Sequence, residues 1–363
     1  MKILRRIGIL TGGGDCPGLN AVIRAVTKAA LFGGLEVVGI RDGYLGLIEG
    51  HMQPLTWRDV SGILTLGGTI LGSSNKANPA KYAVPDGQGG WDIRDVREQV
   101  VRNAAEAGLD ALVIIGGDGT MSGAAELVER GVRCVGVPKT IDNDLWATEV
   151  TFGHDTAVTT AAEALDKVHT TASSHHRVMV VEIMGRYAGW LALHAGIAGG
   201  ADVILIPEIP FDLDKICAHC QSRRRGGRGF TIIAAGEGAI PIGGQQFVES
   251  IVEDSPDPIR LGGVAKYVAD EIERRSGLDS RAIVLGHVQR GGTPTPYDRV
   301  LATRFGYHAF RLLQTGQFGR VVVMQQGQIT SVPIVDVANK VRTVPLDSDL
   351  IATARAVSTH FGD

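Results

Sequence analysis

Short apolar runs that end in glycine turns and give way to helical stretches recur along this chain, and they constrain its fold more than any other feature. Ile7 to Leu10 leads into Thr11-Gly12-Gly13-Gly14-Asp15-Cys16-Pro17-Gly18 and a helix from about Leu19. Ala111 to Ile115 leads into Gly116-Gly117-Asp118-Gly119 and a helix through Glu129. Val132 to Val137 leads into the loop Lys139 to Asp144, and Val178 to Ile183 into Met184-Gly185-Arg186 and a helix through about Ala198. Val203 to Ile206, Phe230 to Ala235 and Ala282 to Leu285 read as further buried strands. Strands alternating with helices build parallel sheets covered on both faces, an α/β architecture. Ligands in such folds bind at the carboxyl ends of the strands, and every candidate site below is read as falling at one.

The chain has 363 residues, enough for two lobes with substantial cores. Apolar residues are 44% and charged residues 21%, the balance of an ordinary globular protein. A net charge of −3 gives no general attraction to nucleic acid or anionic membrane. No apolar run reaches the roughly 20 residues that span a bilayer. After Arg5 and Arg6 the apolar run is only about four residues, short of a signal-peptide core, so Met1 to Leu10 reads as a first strand and the expected location is cytoplasmic. Four scattered cysteines do not make a disulfide framework. Cys217 and Cys220 have metal-ligand spacing but no second pair, and they read as two thiols on an amphipathic helix. Arg223 to Arg228 reads as a solvated helix C-terminus ended by glycine. Lys76 to Gly90 and Ile240 to Asp257 read as exposed loops.

Two Gly-Gly turns lie between a strand and a helix, where backbone amides can approach phosphate oxygens. Asp118 sharpens this reading. A carboxylate among phosphate-binding amides repels the ligand unless a cation stands between them, and Mg²⁺ favours that arrangement. Asp142 and Asp144 share one side of an extended loop, where alternate residues face the same way. Such a carboxylate can take the proton of a sugar hydroxyl as it attacks a phosphate. The competing structural reading is an Asx-turn, in which Asp and Asn cap their own backbone. Arg186 is placed to meet charge on transferred phosphoryl oxygens. Arg177, Arg281 and Arg290, with His287, read as a second anion cluster suited to a phosphate monoester. Glu237, between glycines, suits sugar hydroxyls.

From Ile7 to about Gly316 the chain closely resembles the 6-phosphofructokinase family. The match is carried by TGGGDCPGLNAVIR (11–24), GGTILGSS (67–74), IGGDGT (115–120), PKTIDNDL (138–145), MGRYAGWLALHAGIAGGAD (184–202) and LGHVQRGGTPTPYDR (285–299). The resemblance implies two Rossmann-like three-layer lobes with mainly parallel sheets and an active site in the cleft between them. Residues 1–153 plus 294–317 would form the nucleotide lobe and 154–293 plus 318–363 the sugar-phosphate lobe. It implies phosphoryl transfer from ATP, with Mg²⁺, to the 1-hydroxyl of fructose 6-phosphate. Asp142 would be the base, Asp144 its neighbouring catalytic carboxylate, Asp118 the metal-associated acid, and Thr140 and Arg186 contacts at the reacting phosphate. Gly13, Lys76, Gly117, Gly119, Thr120, Gly123 and Lys139 would line the donor. Arg177, Met184, Gly185, Glu237, Arg281, His287 and Arg290 would hold the sugar phosphate. Arg177 and Arg281 would be lent by a neighbouring subunit, so a homo-oligomer, dimer or tetramer, is implied.

Two departures from the family pattern matter. Pyrophosphate users carry Asp at the position of Gly119 and Lys at that of Lys139, while ATP users have Gly at the first and often at the second. This chain has one mark of each. Gly119 weighs more, because Asp there would push charge and bulk toward the α-phosphate of a nucleotide. The family's effector pocket keeps Arg24, but its other arginine positions near His51 and His169 hold imidazoles, which grip ADP or phosphoenolpyruvate less firmly. Two alternatives are a pyrophosphate-dependent phosphotransferase and a non-catalytic sugar-phosphate sensor. NAD and lipid kinases share the GGDGT turn but not PKTIDND or GHVQRGG.

Overall fold

The computed structural model describes residues 4–363, so Met1 to Ile3 of the expected first strand lie outside the described residues. The strand itself runs Arg6–Thr11. Among the described residues there are two main sheets. The larger has seven strands in the order Gln328–Pro333, Arg320–Gln325, Cys134–Pro138, Ala111–Gly116, Arg6–Thr11, Glu36–Ile40, Met52–Leu55. The inner five are parallel and the two edge strands antiparallel. The smaller sheet has four parallel strands in the order Ser280–Val284, Val178–Ile183, Thr231–Gly236, Val203–Leu205.

Each central strand is apolar on both faces, which is why its sequence shows a run and not an alternation. In Ala111–Gly116, Val113 and Ile115 join one core with helices Leu19–Phe32 and Pro296–Gln314. Leu112 and Ile114 join the opposite core with Met121, Ala124 and Leu127 of the helix Asp118–Glu129. Val181 and Ile183 of the smaller sheet belong to the same core as Val113, under helices His154–His175 and Trp190–Ala198, so one apolar layer runs through both lobes. Fully burying a side chain such as Phe152, at the junction, contributes roughly 1.5–3 kcal/mol.

Several expectations need correction. Arg320–Gln325 and Gln328–Pro333 extend the larger sheet, whereas the sequence division put 318–363 with the sugar-phosphate lobe. A tight hairpin on a free sheet edge gives no signal of which sheet it joins. Each expected loop holds one strand of a short hairpin whose partner follows just beyond it, Tyr82–Pro85 with Trp91–Arg94 and Val248–Ile251 with Ile259–Leu261. Ser280–Val284 is an edge strand whose Ala282 and Val284 are exposed, not buried. The Cys217 and Cys220 thiols are free and buried in the helix Leu213–Arg225, which ends at Gly226 as expected. Its Arg223 is not solvated but paired with Asp202 at 2.6 Å.

Candidate active site

The helix Asp118–Glu129 starts at Gly117 with no side-chain cap. Its first N–H groups are therefore free to meet an anion, and the helix dipole favours one there. The turn is tight: a Cβ on Gly116 would overlap Thr120, whose side chain fills that space and whose carbonyl accepts from Tyr44 Oη at 2.7 Å. Gly119 is different. It is exposed, and a Cβ there would meet nothing within 4 Å. Gly123, one turn on, is buried against Tyr44, 3.1 Å from Cε2 to the point a Cβ would occupy, so its lack of a side chain serves packing. The Asp118 carboxylate makes no hydrogen bond or ion pair among the described residues.

The strip Pro138 to Leu145 follows the neighbouring strand Cys134–Pro138 and passes beside the turn, with Lys139 N donating to the Gly116 carbonyl at 3.0 Å. Asp142 and Asp144 are both buried, at 6% and 7% exposure. Asp142 Oδ1 has no hydrogen-bond partner among the described residues. Burial pushes the Asp142 carboxyl above its usual range; the positive charges of Arg290, Arg186 and Lys139 oppose this and Asp118 adds to it. Asp144 lies well above, through burial and then the charges of Asp142 and Asp118. Three acids and three cations thus converge from four separate segments: the Asp118 turn, the strip, the Arg186 turn and the short helix that carries Arg290. Asn143 makes no Asx-turn: its Oδ1 accepts from Thr151 N, eight residues on, at 3.0 Å, and so ties the strip to the following segment.

Lys139 is buried too, and its Nζ donates to the Gly14 carbonyl at 2.5 Å. Desolvation lowers its basicity. Gly13 has φ 76°, a left-handed conformation that favours glycine, and its N–H donates to Ser74 O at 3.1 Å. A Cβ on Gly14 would overlap the Arg290 guanidinium, which lies against the triple-glycine turn. From the smaller sheet, Met184 and Gly185 carry the chain to Arg186, itself at φ 51°. Glu237 braces this turn, Oε1 accepting from Arg186 N at 3.0 Å and Gly185 N at 3.3 Å. Burial, and then the Asp142 charge, push Glu237 up to about 7.

Two residues of the hairpin region, overlooked in the sequence, reach this site. Asp257 pairs with Arg186, and Asp254 pairs with Lys76 at 2.5 Å. Arg177 and Arg281 do not reach it. They sit at the amino ends of their strands and share Asp279, at 2.6 Å and 2.5 Å. They therefore contradict the expectation that every candidate lies at a carboxyl end; Arg186 follows the far end of the strand that Arg177 precedes. His287 and Arg290 lie on the short helix Gly286–Arg290 after the exposed edge strand, His287 on its surface.

An acid-lined cleft beside an uncapped helix start and a basic cluster is the equipment for binding phosphates and moving a proton. The phosphofructokinase family profile matches residues 6–313. The chain is 49% identical over its whole length, and the whole of the relative, to an ATP-dependent 6-phosphofructokinase of Clostridium perfringens. It is 50% identical to a pyrophosphate–fructose 6-phosphate 1-phosphotransferase of Amycolatopsis mediterranei, over 94% of this chain and 97% of that one. The crystal structure of Pichia pastoris phosphofructokinase superposes with a TM-score of 0.79 at 35% identity, covering 93% of this chain and 36% of the other. These matches run over nearly the entire chain, which belongs to the phosphofructokinase family.

Proposed function

We propose that this chain transfers the terminal phosphoryl group of ATP to the 1-hydroxyl of fructose 6-phosphate, a glycolytic step. The single observation that carries the donor choice is the open space in front of Gly119, where a Cβ would meet nothing within 4 Å and no side chain of its own adds charge or bulk. Asp142 is the base: its unpartnered Oδ1 is a buried acceptor awaiting a proton donor, and its raised affinity for protons suits the role. Arg186 meets charge on the transferred group, and Arg290 with His287 and Glu237 holds the sugar phosphate.

The residues also fit a magnesium ion. Among the described residues no cluster of three or more His, Cys, Asp or Glu side chains stands ready for a metal. Mg²⁺ does not need one, because it binds through one or two carboxylates plus phosphate oxygens and water. Asp118, free of internal partners, is the carboxylate that would hold it. The ion would neutralise charge on the donor phosphates.

Assembly completes the reading. Arg177 and Arg281 lie remote from the acids, beside an edge strand that exposes Val284, with Val288 also exposed after it. A second copy docking on this face would bury those groups and present both arginines to its own sugar-phosphate pocket, so the active unit is at least a dimer. The pyrophosphate reading has one observation in its favour, the buried Lys139 ammonium behind the glycine turn. Initial rates with fructose 6-phosphate and either Mg-ATP or Mg-pyrophosphate separate the two. Turnover with ATP well above that with pyrophosphate supports the proposal, and the reverse order replaces it. No helix among the described residues is long and apolar enough to cross a membrane.

A further inference from the structure

The strip that carries both acids is held by the Asn143 side chain, which accepts from Thr151 N and donates to Glu149 O, and above all by four of its carbonyls. Thr140 O accepts from Thr151 Oγ1 at 2.7 Å, and Ile141 O from His154 Nδ1 at 2.7 Å. Asn143 O accepts from Arg342 Nη1 at 2.9 Å, and Asp144 O from the Arg342 backbone N–H at 2.7 Å. Asn143, between the acids, sits at φ 53°, a strained conformation for a non-glycine residue that must be held in place. Neither carboxylate is spent on holding the loop, which is why Asp142 Oδ1 remains free.

Arg342 is itself fixed from two directions. Its guanidinium lies 3.9 Å from the centre of the Trp190 ring, and Trp190 Nε1 donates back to the Arg342 carbonyl at 3.0 Å. Stacking and the indole hydrogen bond leave the guanidinium little freedom. Trp190 stacks in turn on His194, whose Nδ1 lies 2.9 Å from His154 Nε2. The tautomers follow from the partners. Ile141 O can only accept, so His154 carries its proton on Nδ1 and accepts at Nε2 from His194 Nδ1–H. The contacts close a ring: strip, Arg342, Trp190, His194, His154, strip.

We propose that Arg342 is a positioning residue for phosphoryl transfer, clamping the backbone on either side of Asp144 and so aiming Asp142 and Asp144 into the cleft. This rests on the function proposed above. Arg342 touches no reacting atom; it acts through the strip. Misplacement of reacting groups by about 1 Å can cost roughly 10²-fold in rate. Arg342→Ala in the full chain should therefore lower kcat by about 10- to 10²-fold, while the fructose 6-phosphate KM stays within about twofold because Arg290 and Glu237 are untouched. Millimolar guanidinium ion should restore part of the lost kcat, which a general loosening of the fold would not allow. Amide hydrogen exchange of a peptide covering residues 139–148 should accelerate in the variant. If Arg342→Ala does not fold, Arg342→Lys keeps the charge and the backbone N–H and should show the same kcat loss in weaker form. A folded variant with unchanged kcat and unchanged exchange overturns the proposal, as does a raised KM with kcat intact. If the unmodified protein does not turn over fructose 6-phosphate, the proposed function fails, and the exchange comparison still decides the clamp.

Discussion

The guanidinium of Arg186 is paired with the carboxylate of Asp257, a residue 71 positions later in the sequence and on a different supersecondary unit. A phosphoryl group that uses Arg186 must take the place of that carboxylate. Both side chains are about a third exposed or more, so the pair is worth only about 0–1 kcal/mol. Asp257→Asn should lower the KM for the phosphoryl donor by up to about fivefold and leave stability nearly unchanged. Steady-state kinetics with varied donor checks this, and a raised donor KM would count against it.

Asp142→Asn should fold and bind both substrates, yet lower kcat by roughly 10²–10⁴, the span for a lost general base. In the unmodified protein the acid limb of the kcat profile should lie above the ordinary carboxylate range, because burial raises the Asp142 proton affinity and activity is lost as pH falls through that raised value. A pH–rate profile of the wild type, and turnover of the variant, test both statements.

Arg290 is the foremost of the charges holding the Asp142 carboxyl down. Removing it in Arg290→Ala should move the acid limb to higher pH. The same change should raise the fructose 6-phosphate KM by about 10- to 10²-fold, the cost of one charge-assisted hydrogen bond, with the donor KM little altered. A selective loss of donor affinity contradicts the pocket assignment.

Gly119→Asp places a carboxylate in open space beside the helix start. Like-charge juxtaposition costs several kcal/mol, so kcat/KM for ATP should fall by about 10²-fold. Pyrophosphate, which lacks an α-phosphate linked to a nucleoside, should be affected less. Equal losses with both donors would show that this position does not discriminate between them.

Glu237 sets a pH window for stability. Its proton affinity rises from 4.5 to about 7 on folding, so its contribution is full below 4.5 and is lost as pH climbs through about 7. Glu237→Gln should flatten the decline in melting temperature across that interval, measured by calorimetry at matched ionic strength.

What was legible in the sequence was what is local. The turn Gly116 to Thr120 and the strip Pro138 to Leu145 each declare themselves within eight residues, because glycine conformations and strand–helix alternation are short-range properties. The sheet order and the exposed edge at Ser280–Val284 were not, since an edge strand that waits for a partner looks like a buried one. The clamp was invisible for the same reason: Arg342 and Asn143 are 199 residues apart, and nothing near either one announces the other. The hairpin acids Asp254 and Asp257 fell in a stretch whose Pro and Gly content reads simply as loop, although their partners Lys76 and Arg186 had both been singled out.

The strand Val203–Leu205 lies on an outer margin of the smaller sheet and is closed by a much later stretch. His360 N donates to Asp202 O at 3.0 Å and Ile204 N to His360 O at 2.9 Å, while Phe361 is wholly buried. During synthesis this margin stays open until the ribosome has released His360, some 155 residues after the strand itself. A nascent chain therefore carries an unguarded β edge over those 155 residues of elongation, and a chaperone or early contact with another copy has that interval in which to act.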